Sequence, residues 1–223
     1  MRKLMVLPMA GLLALGVVGP VAAAPNVSNT SGSGSSIYGE WSSEGTYGYV
    51  SVGIDSAYGA FADIYEESGT WVECAPVDES PAPGKGPIAY DTTPGGEEYG
   101  FVGTRTWGYG YDVEIDISRR LETGTATGTV ELFTDTVDEC NGIYGGDAVG
   151  EVGRLDVDVV GVGSVASFRG SSFFKLPSEF NGHSNYRGKE RQATGSVVAG
   201  GSIDTALGYG YMSQVTWSEH VNN

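Results

Sequence analysis

Residues 107–117 read Trp-Gly-Tyr-Gly-Tyr-Asp-Val-Glu-Ile-Asp-Ile, and this stretch decides the fold class of the chain. Aromatic or aliphatic residues occupy every second position, and glycine or an acid occupies the positions between them. Side chains of a β-strand point alternately to its two faces, so the pattern predicts a strand with one buried face. If no bulge shifts the register, Trp107, Tyr109 and Tyr111 lie on the buried face with Val113.

Runs of the same kind recur on both sides of this stretch, and helical periodicity is nowhere sustained. Turn-forming pairs such as Ser68-Gly69 and Asn141-Gly142 separate many of the runs. We predict strands at 37–43, 46–54, 57–66, 70–75, 100–118, 125–139, 152–160, 163–174, 186–198 and 206–218. Short strands in this number predict an all-β fold, an antiparallel two-sheet sandwich, with a closed β-barrel as the alternative.

The remaining aromatic residues divide between the two faces of their strands. Tyr209 and Tyr211 share their parity with the leucine at 207 and are predicted to be buried. Tyr47 and Tyr49 alternate with the valines that follow them, so burial of those valines turns both tyrosines outward. Trp71 shares its face with a glutamate. We therefore take Tyr47, Tyr49 and Trp71 as candidate ligand-binding aromatics, against the alternative that they are exposed without binding anything.

The N-terminal residues predict export. Residues 1–3 are basic at two of three positions, 4–18 are mainly apolar and 21–24 are small. This order is typical of a secretory signal peptide, and the apolar run is too short to span a bilayer. We expect a signal peptide at 1–23, a flexible segment at 24–36 and a single all-β domain at 37–223. The protein is then secreted, with no membrane insertion after signal removal.

The two cysteines, Cys74 and Cys140, are expected to form one intramolecular disulfide because export favours oxidation. A proline-rich loop at 75–98 follows the first of them, and a loop of that length is either functional or loose. The chain has only two histidines, so a zinc site is not expected.

The chain is strongly acidic, with a formal net charge of −16 at pH 7. A surface of this sign repels nucleic acid and anionic membrane, so neither is an expected partner. It attracts cations such as calcium, although no calcium-binding motif is present, and no other cofactor is expected.

One stretch, 169–191, opposes the acidic trend. Its charged residues are two glutamates and five cations: Arg169, Lys175, Arg187, Lys189 and Arg191. The functional interpretation is a patch that binds an anion or an acidic glycan. The alternative is that these cations pair with the acidic faces of the protein itself.

Acidic residues repeat at every second position in two predicted strands, at Asp112, Glu114 and Asp116 and at Asp156 and Asp158. Neighbours two apart on a strand lie roughly 6–7 Å from each other, near the carboxylate separation of inverting glycosidases. The alternative is an ordinary solvated sheet face.

These patterns predict a secreted, non-catalytic surface or ligand-binding protein whose partner is a glycan or a cell-surface component. No catalytic residue can be assigned. Whether the protein is an enzyme is left open, and a non-catalytic binding protein is favoured. The alternative is a secreted carbohydrate-active hydrolase that uses two carboxylates, with candidates Glu97, Glu98, Glu114 and Asp116. A third hypothesis is a self-assembling structural component, for which free sheet edges would be the sign.

Overall fold

The structure is a computed structural model that describes residues 28–74, 99–145, 149–176 and 180–222. The expected signal peptide, the loop at 75–98 and the candidates Glu97 and Glu98 lie outside the described residues. Within them the chain forms antiparallel strands and one 3₁₀ turn at Glu139–Asn141.

The strands are β1 (Ser28–Ser43), β2 (Thr46–Asp55), β3 (Gly59–Glu73), β4 (Tyr99–Ile117), β5 (Thr123–Asp138), β6 (Ile143–Tyr144), β7 (Val149–Gly161), β8 (Ala166–Leu176), β9 (Phe180–Ala199), β10 (Ile203–Leu207) and β11 (Tyr209–Asn222). The prediction of an all-β chain is confirmed, and every predicted strand overlaps an observed one. Their bounds differ in places: 57–66 and 70–75 are one strand, 206–218 is divided between β10 and β11, and β1 and β9 begin well before 37 and 186.

Eight of the strands pair in a continuous cycle. β1 to β5 pair in chain order, β5 pairs with β7, β7 with β9, β9 with β11, and β11 returns to β1. Every pair is antiparallel, as expected for strands joined mainly by short turns. The interior of this eight-strand ring holds one hydrophobic cluster, which includes Ile37, Val50, Val130, Leu155 and Val197.

Part of the sheet continues beyond the ring. The N-terminal half of β9 lies between β8 and β11, and β11 pairs with β1 from Ser28 onward. β2 joins β1 only from Gly34. We call these four strand segments, at 28–36, 166–176, 180–190 and 213–222, the extension. Among the described residues, β8 pairs only with β9, so the extension ends in a free edge.

The start of β1 differs from the flexible segment expected at 24–36. Residues 28–36 are small and polar and carry no apolar signal, yet they pair with β11 from Ser28 onward. Backbone hydrogen bonds to a neighbouring strand, which a search for apolar periodicity does not detect, order this part of the segment.

The burial predicted for Tyr109 and Tyr111 on β4 is wrong, and Trp107 is only half-buried. Tyr109 is 61 % exposed and Tyr111 is also exposed, whereas Val113 is buried. The register of β4 against β5 shifts between Tyr111 and Glu114, and Asp112 adopts a φ of 54°. This bulge reverses the faces, so the glycines before it point inward and the aromatic residues point outward.

Tight packing explains why glycine occupies those inward positions. A Cβ on Gly108 would lie 2.5 Å from a methyl of Leu132, and one on Gly110 would lie 2.5 Å from the Cβ of Ala62. Neighbouring side chains therefore fill the space that a side chain on β4 would need.

The prediction that Tyr209 is buried is wrong for a similar reason. Leu207 and Met212 are both buried, although their positions have opposite parity. The parity that points to the core therefore changes between these two residues. The change coincides with Gly208, which separates β10 from β11. Tyr209 is exposed, and Tyr211 lies half-buried on the outer face.

β3 runs straight through Ser68-Gly69, which was expected to be a turn. A Cβ on Gly69 would lie 2.3 Å from the carbonyl oxygen of Val102 on β4, so the two backbones approach too closely for any side chain. Glycine here serves strand packing rather than chain reversal.

The predicted disulfide between Cys74 and Cys140 is confirmed. It joins the end of β3 to the 3₁₀ turn, across a sequence separation of 66. The chain-entropy account assigns about 4 kcal/mol to closing a loop of that length.

Candidate functional site

The inner face of the extension is polar where the same face of the ring is apolar. On β1, the positions that continue from the buried Ile37 are Ser35, Ser33 and Ser31. On β11, the positions that continue from the buried Met212 are Gln214, Thr216 and Ser218. Because side chains alternate along a strand, these polar residues lie on the face that carries the core. The apolar inner face of the ring therefore continues, along the same strands, as a hydroxyl-rich inner face of the extension.

Basic side chains lie on the same face of β8 and β9. Arg187 and Lys189 continue the parity of the buried Ala193 on β9. Arg169 on β8 lies directly opposite Arg187, and Ser167 lies opposite Lys189. Directly opposed residues have Cβ atoms about 4.5–5.5 Å apart, and like charges in that position repel each other.

These residues line two adjoining hollows with volumes of about 970 Å³ and 840 Å³. The hollows share Ser33, Ser56, Arg169, Arg187 and Thr216, so they form one continuous surface. We call this surface the basin and define it by 31–35, 167–171, 185–189 and 214–218, with Ile54 and Ser56. None of the described acidic residues lines either hollow, although the chain has a net charge of −16.

The basin is larger than a site for a single small ion. It extends over four residue steps along each strand, or about 13 Å, and across four strands, or about 14 Å. Its hydroxyl groups can both donate and accept hydrogen bonds, whereas its guanidinium groups only donate. This arrangement suits a ligand that carries both hydroxyl and acidic groups.

The turn between β4 and β5 closes one end of the basin. Gln214 Nε2 donates to the carbonyl oxygen of Ile117 at 3.2 Å, and Lys189 Nζ donates to the carbonyl oxygen of Arg119. Leu121, at the tip of this turn, is fully buried with a φ of 55°. The turn therefore seals the apolar interior from the basin.

The structure separates the five basic candidates into different groups. Arg169 and Arg187 are exposed in the middle of the basin, and Lys189 lies at its closed end. Arg191 does not line the basin, since its guanidinium donates to the carbonyl oxygens of Gly163 at 3.1 Å and Leu121 at 3.4 Å. Lys175 lies on β8, but its side chain is outside the described part of the structure.

The alternative that the basic residues pair with acidic residues of the protein itself is not seen for Arg169, Arg187 and Lys189 among the described residues. Arg187 Nε donates to Thr216 Oγ1 at 3.3 Å, and no described carboxylate forms an ion pair with Arg169, Arg187 or Lys189. The ion pairs among the described residues involve Arg105 and Arg154, which lie outside the basin.

The candidate aromatic residues lie on the outer face, away from the basin. Tyr49 is half-buried in a stacked row that runs Tyr211, Tyr38, Tyr49, Tyr65 across four strands, with ring centroids 5.2, 6.2 and 5.7 Å apart. Both faces of the Tyr49 ring are therefore covered by neighbouring rings. Sequence reasoning did not detect this row because its members are distant along the chain.

Three of the four tyrosine hydroxyls in the row donate to a carboxylate. Tyr49 on β2 donates to Asp63 on β3 at 3.1 Å. Tyr65 donates to Glu67 at 2.9 Å and Tyr38 donates to a glutamate, each within its own strand. Burial, reinforced by Asp63, raises the pKa of Tyr49 to about 12. Burial and Glu67 likewise raise the pKa of Tyr65. The row thus joins four strands by stacking, and the hydrogen bond between Tyr49 and Asp63 adds a link between β2 and β3.

Tyr47 and Trp71 are exposed, as their parity predicts, but they lie apart from the basic residues. Trp71 is 63 % exposed and packs edge-on against Phe101, with ring centroids 6.0 Å apart. Neither Tyr47 nor Trp71 lines a hollow of the basin. The structure therefore does not bring the aromatic and basic candidates into one site.

The alternating acids also lie outside the basin. Glu114 and Asp156 flank Thr127 on β5, and Asp116 and Asp158 flank the threonine two residues before it. Asp156 forms an ion pair with Arg154 at 2.6 Å. In the described part of the chain, no group of three or more His, Cys, Asp or Glu side chains converges to hold a metal ion.

The chain matches no protein-family model, no curated protein and no solved structure. Among the described residues, no helix has the length and apolar character needed to cross a membrane.

Proposed function

We propose that this is a secreted, non-catalytic protein that binds a ligand carrying acidic groups in the basin. The observation that carries the proposal is the opposed pair Arg169 and Arg187 on a surface that no described acidic residue lines, in a chain of net charge −16. Like charges directly opposed on neighbouring strands are unfavourable, and an anion bound between them offsets their repulsion.

Arginine suits this role because its planar guanidinium can bind carboxylate, sulfate or phosphate through two parallel hydrogen bonds. A charge-assisted hydrogen bond contributes about 1.5–3 kcal/mol. The surrounding serines and threonine add neutral hydrogen bonds, which match the hydroxyl groups of a carbohydrate. An acidic glycan or an acidic cell-surface component is therefore the proposed partner.

We further infer that the eight-strand ring is a closed barrel rather than a two-sheet sandwich. The uninterrupted cycle of antiparallel pairs and the single hydrophobic cluster inside it support this inference. A sandwich would require the cycle to open at two places. In the closed form, the extension is the part of the sheet that remains available to a ligand.

A glycan array tests the proposal and the hydrolase alternative together. We expect the mature protein to bind sulfated or uronic acid glycans and not their neutral counterparts, with no release of reducing sugar. Binding to neutral glycans alone would contradict the basin as the site. Release of reducing sugar would establish the hydrolase alternative and direct mutagenesis to Glu97, Glu98, Glu114 and Asp116.

Matched arginine variants locate the site. Arg187→Gln removes a basin cation while keeping a polar side chain, and Arg154→Gln removes an exposed arginine outside the basin. We expect the first variant to lose binding and the second to retain it. Equal binding by both variants would place the ligand elsewhere.

A further inference from the structure

The basin has one closed end and one open end. At the closed end, Lys189 and Gln214 are bound to the backbone of the β4–β5 turn. At the other end, beyond Asn185 and Ser218, β9 and β11 continue toward residues 181 and 222 with no described element across their inner face. An elongated ligand can therefore leave the basin in one direction along the strands.

An exposed aromatic ring lies beyond the open end. Phe173 on β8 shares the parity of Arg169 and Ser171, so it lies on the same face as the basin. It is 67 % exposed, and no aromatic partner covers it among the described residues. Four residue steps separate it from Arg169, a distance of about 13 Å along the strand.

We propose, resting on the proposed function, that the ligand is an acidic oligosaccharide bound by its end. Its terminal sugar lies at the closed end near Lys189, an acidic group lies between Arg169 and Arg187, and a later sugar stacks on Phe173. An aromatic ring presents an apolar face that matches the C–H face of a pyranose.

The charge of the whole molecule supports recognition of an end. Outside the basin the surface is acidic, so a long polyanion that continued in both directions would be repelled by it. A ligand that ends inside the basin extends over that acidic surface on one side only. The same acidic surface disfavours nucleic acid, which is itself a long polyanion.

The first test uses stoichiometry, measured by calorimetry with oligogalacturonates and with sulfated oligosaccharides of increasing length. We expect one protein molecule per chain at every length, because each chain presents one matching end. Several protein molecules on one long chain would overturn recognition of an end while leaving the proposed function intact. No binding by either series would contradict both proposals. Equal binding of poly-glutamate would show that charge alone is recognised and would overturn the oligosaccharide assignment.

The second test uses Phe173→Ala, a change at an exposed position that leaves the core untouched. We expect about a tenfold loss of affinity for a hexasaccharide, corresponding to about 1.4 kcal/mol, and no change for a disaccharide. The matched control is Tyr144→Ala, which removes an equally exposed aromatic ring outside the basin. Equal losses for both lengths of ligand, or no loss for either, would contradict the placement of a sugar on Phe173.

Discussion

At the residue scale, one bulge decides which aromatic side chains contact solvent. The alternation in 107–117 is unbroken in the sequence, but the φ of 54° at Asp112 divides it into two halves that face opposite ways. No local signal distinguishes a strand that contains such a bulge from one that does not, since aspartate tolerates both conformations. The strand was therefore predictable, and the face of Tyr109 was not.

Tyr109→Ala tests this assignment. Because the ring is mostly exposed, we expect the free energy of unfolding to change by no more than about 0.5 kcal/mol. Urea titration followed by tryptophan fluorescence measures the change. A loss of about 3–5 kcal/mol, the usual cost of truncating a core aromatic residue, would return Tyr109 to the core.

Tyr49 should behave differently from an ordinary surface residue. Its stacked neighbours and its hydrogen bond to Asp63 lead us to expect a loss of about 1 kcal/mol for Tyr49→Phe and about 2 kcal/mol for Tyr49→Ala. The control is Tyr47→Ala, at an exposed position on the same strand. Equal and negligible effects at both positions would show that the row contributes no stability.

At the element scale, the sequence predicts strands well and their partners poorly. Period-two patterns locate β2, β4 and β5 because each has one buried face. The pairing of β9 with four strands, and the start of β1 at Ser28, depend on backbone hydrogen bonds between distant segments. The same holds for the candidate site. The charge pattern of the sequence predicts Arg169 and Arg187 as candidates, but only the structure shows that they lie opposite each other on neighbouring strands.

The stabilising effect of the disulfide belongs to the element scale, because the bond joins the end of β3 to the 3₁₀ turn. We expect the double variant Cys74→Ser, Cys140→Ser to lose about 2–4 kcal/mol of stability. Thermal unfolding of this variant, compared with the oxidised parent, measures the effect. An unchanged melting temperature would contradict a stabilising role for the cross-link.

At the scale of the whole molecule, an acidic chain carries a basin that is lined, in the part of the chain that the structure describes, by basic and neutral residues. The stacked tyrosine row crosses four strands of the ring on the outer face, whereas the basin lies on the inner face of the extension. Stability and ligand binding therefore depend on different surfaces, and substitutions in one should leave the other unchanged.

Alkaline pH should weaken the fold through the tyrosine row. The pKa of Tyr49 rises from the ordinary value of 10.0 to about 12, and the pKa values of Tyr65 and Tyr211 rise as well. A raised pKa means that the folded state retains its proton more strongly than the unfolded state. This stabilisation is complete below pH 10 and is lost as the pH rises toward 12.

Ultraviolet titration of tyrosinate, recorded with circular dichroism, follows this transition. We expect part of the tyrosine absorbance change to coincide with unfolding above pH 10. If every tyrosine ionised near pH 10 with the fold unchanged, the row would not be coupled to stability.

The most direct test of the anion-binding basin is calorimetric titration of a uronic acid or sulfated disaccharide into the parent protein, Arg187→Gln and Arg154→Gln. Removal of a charge-assisted hydrogen bond worth about 2 kcal/mol predicts roughly thirtyfold weaker binding for Arg187→Gln. Arg154→Gln should bind like the parent. Unchanged affinity in Arg187→Gln, with binding intact in the parent, would contradict the basin as the binding site.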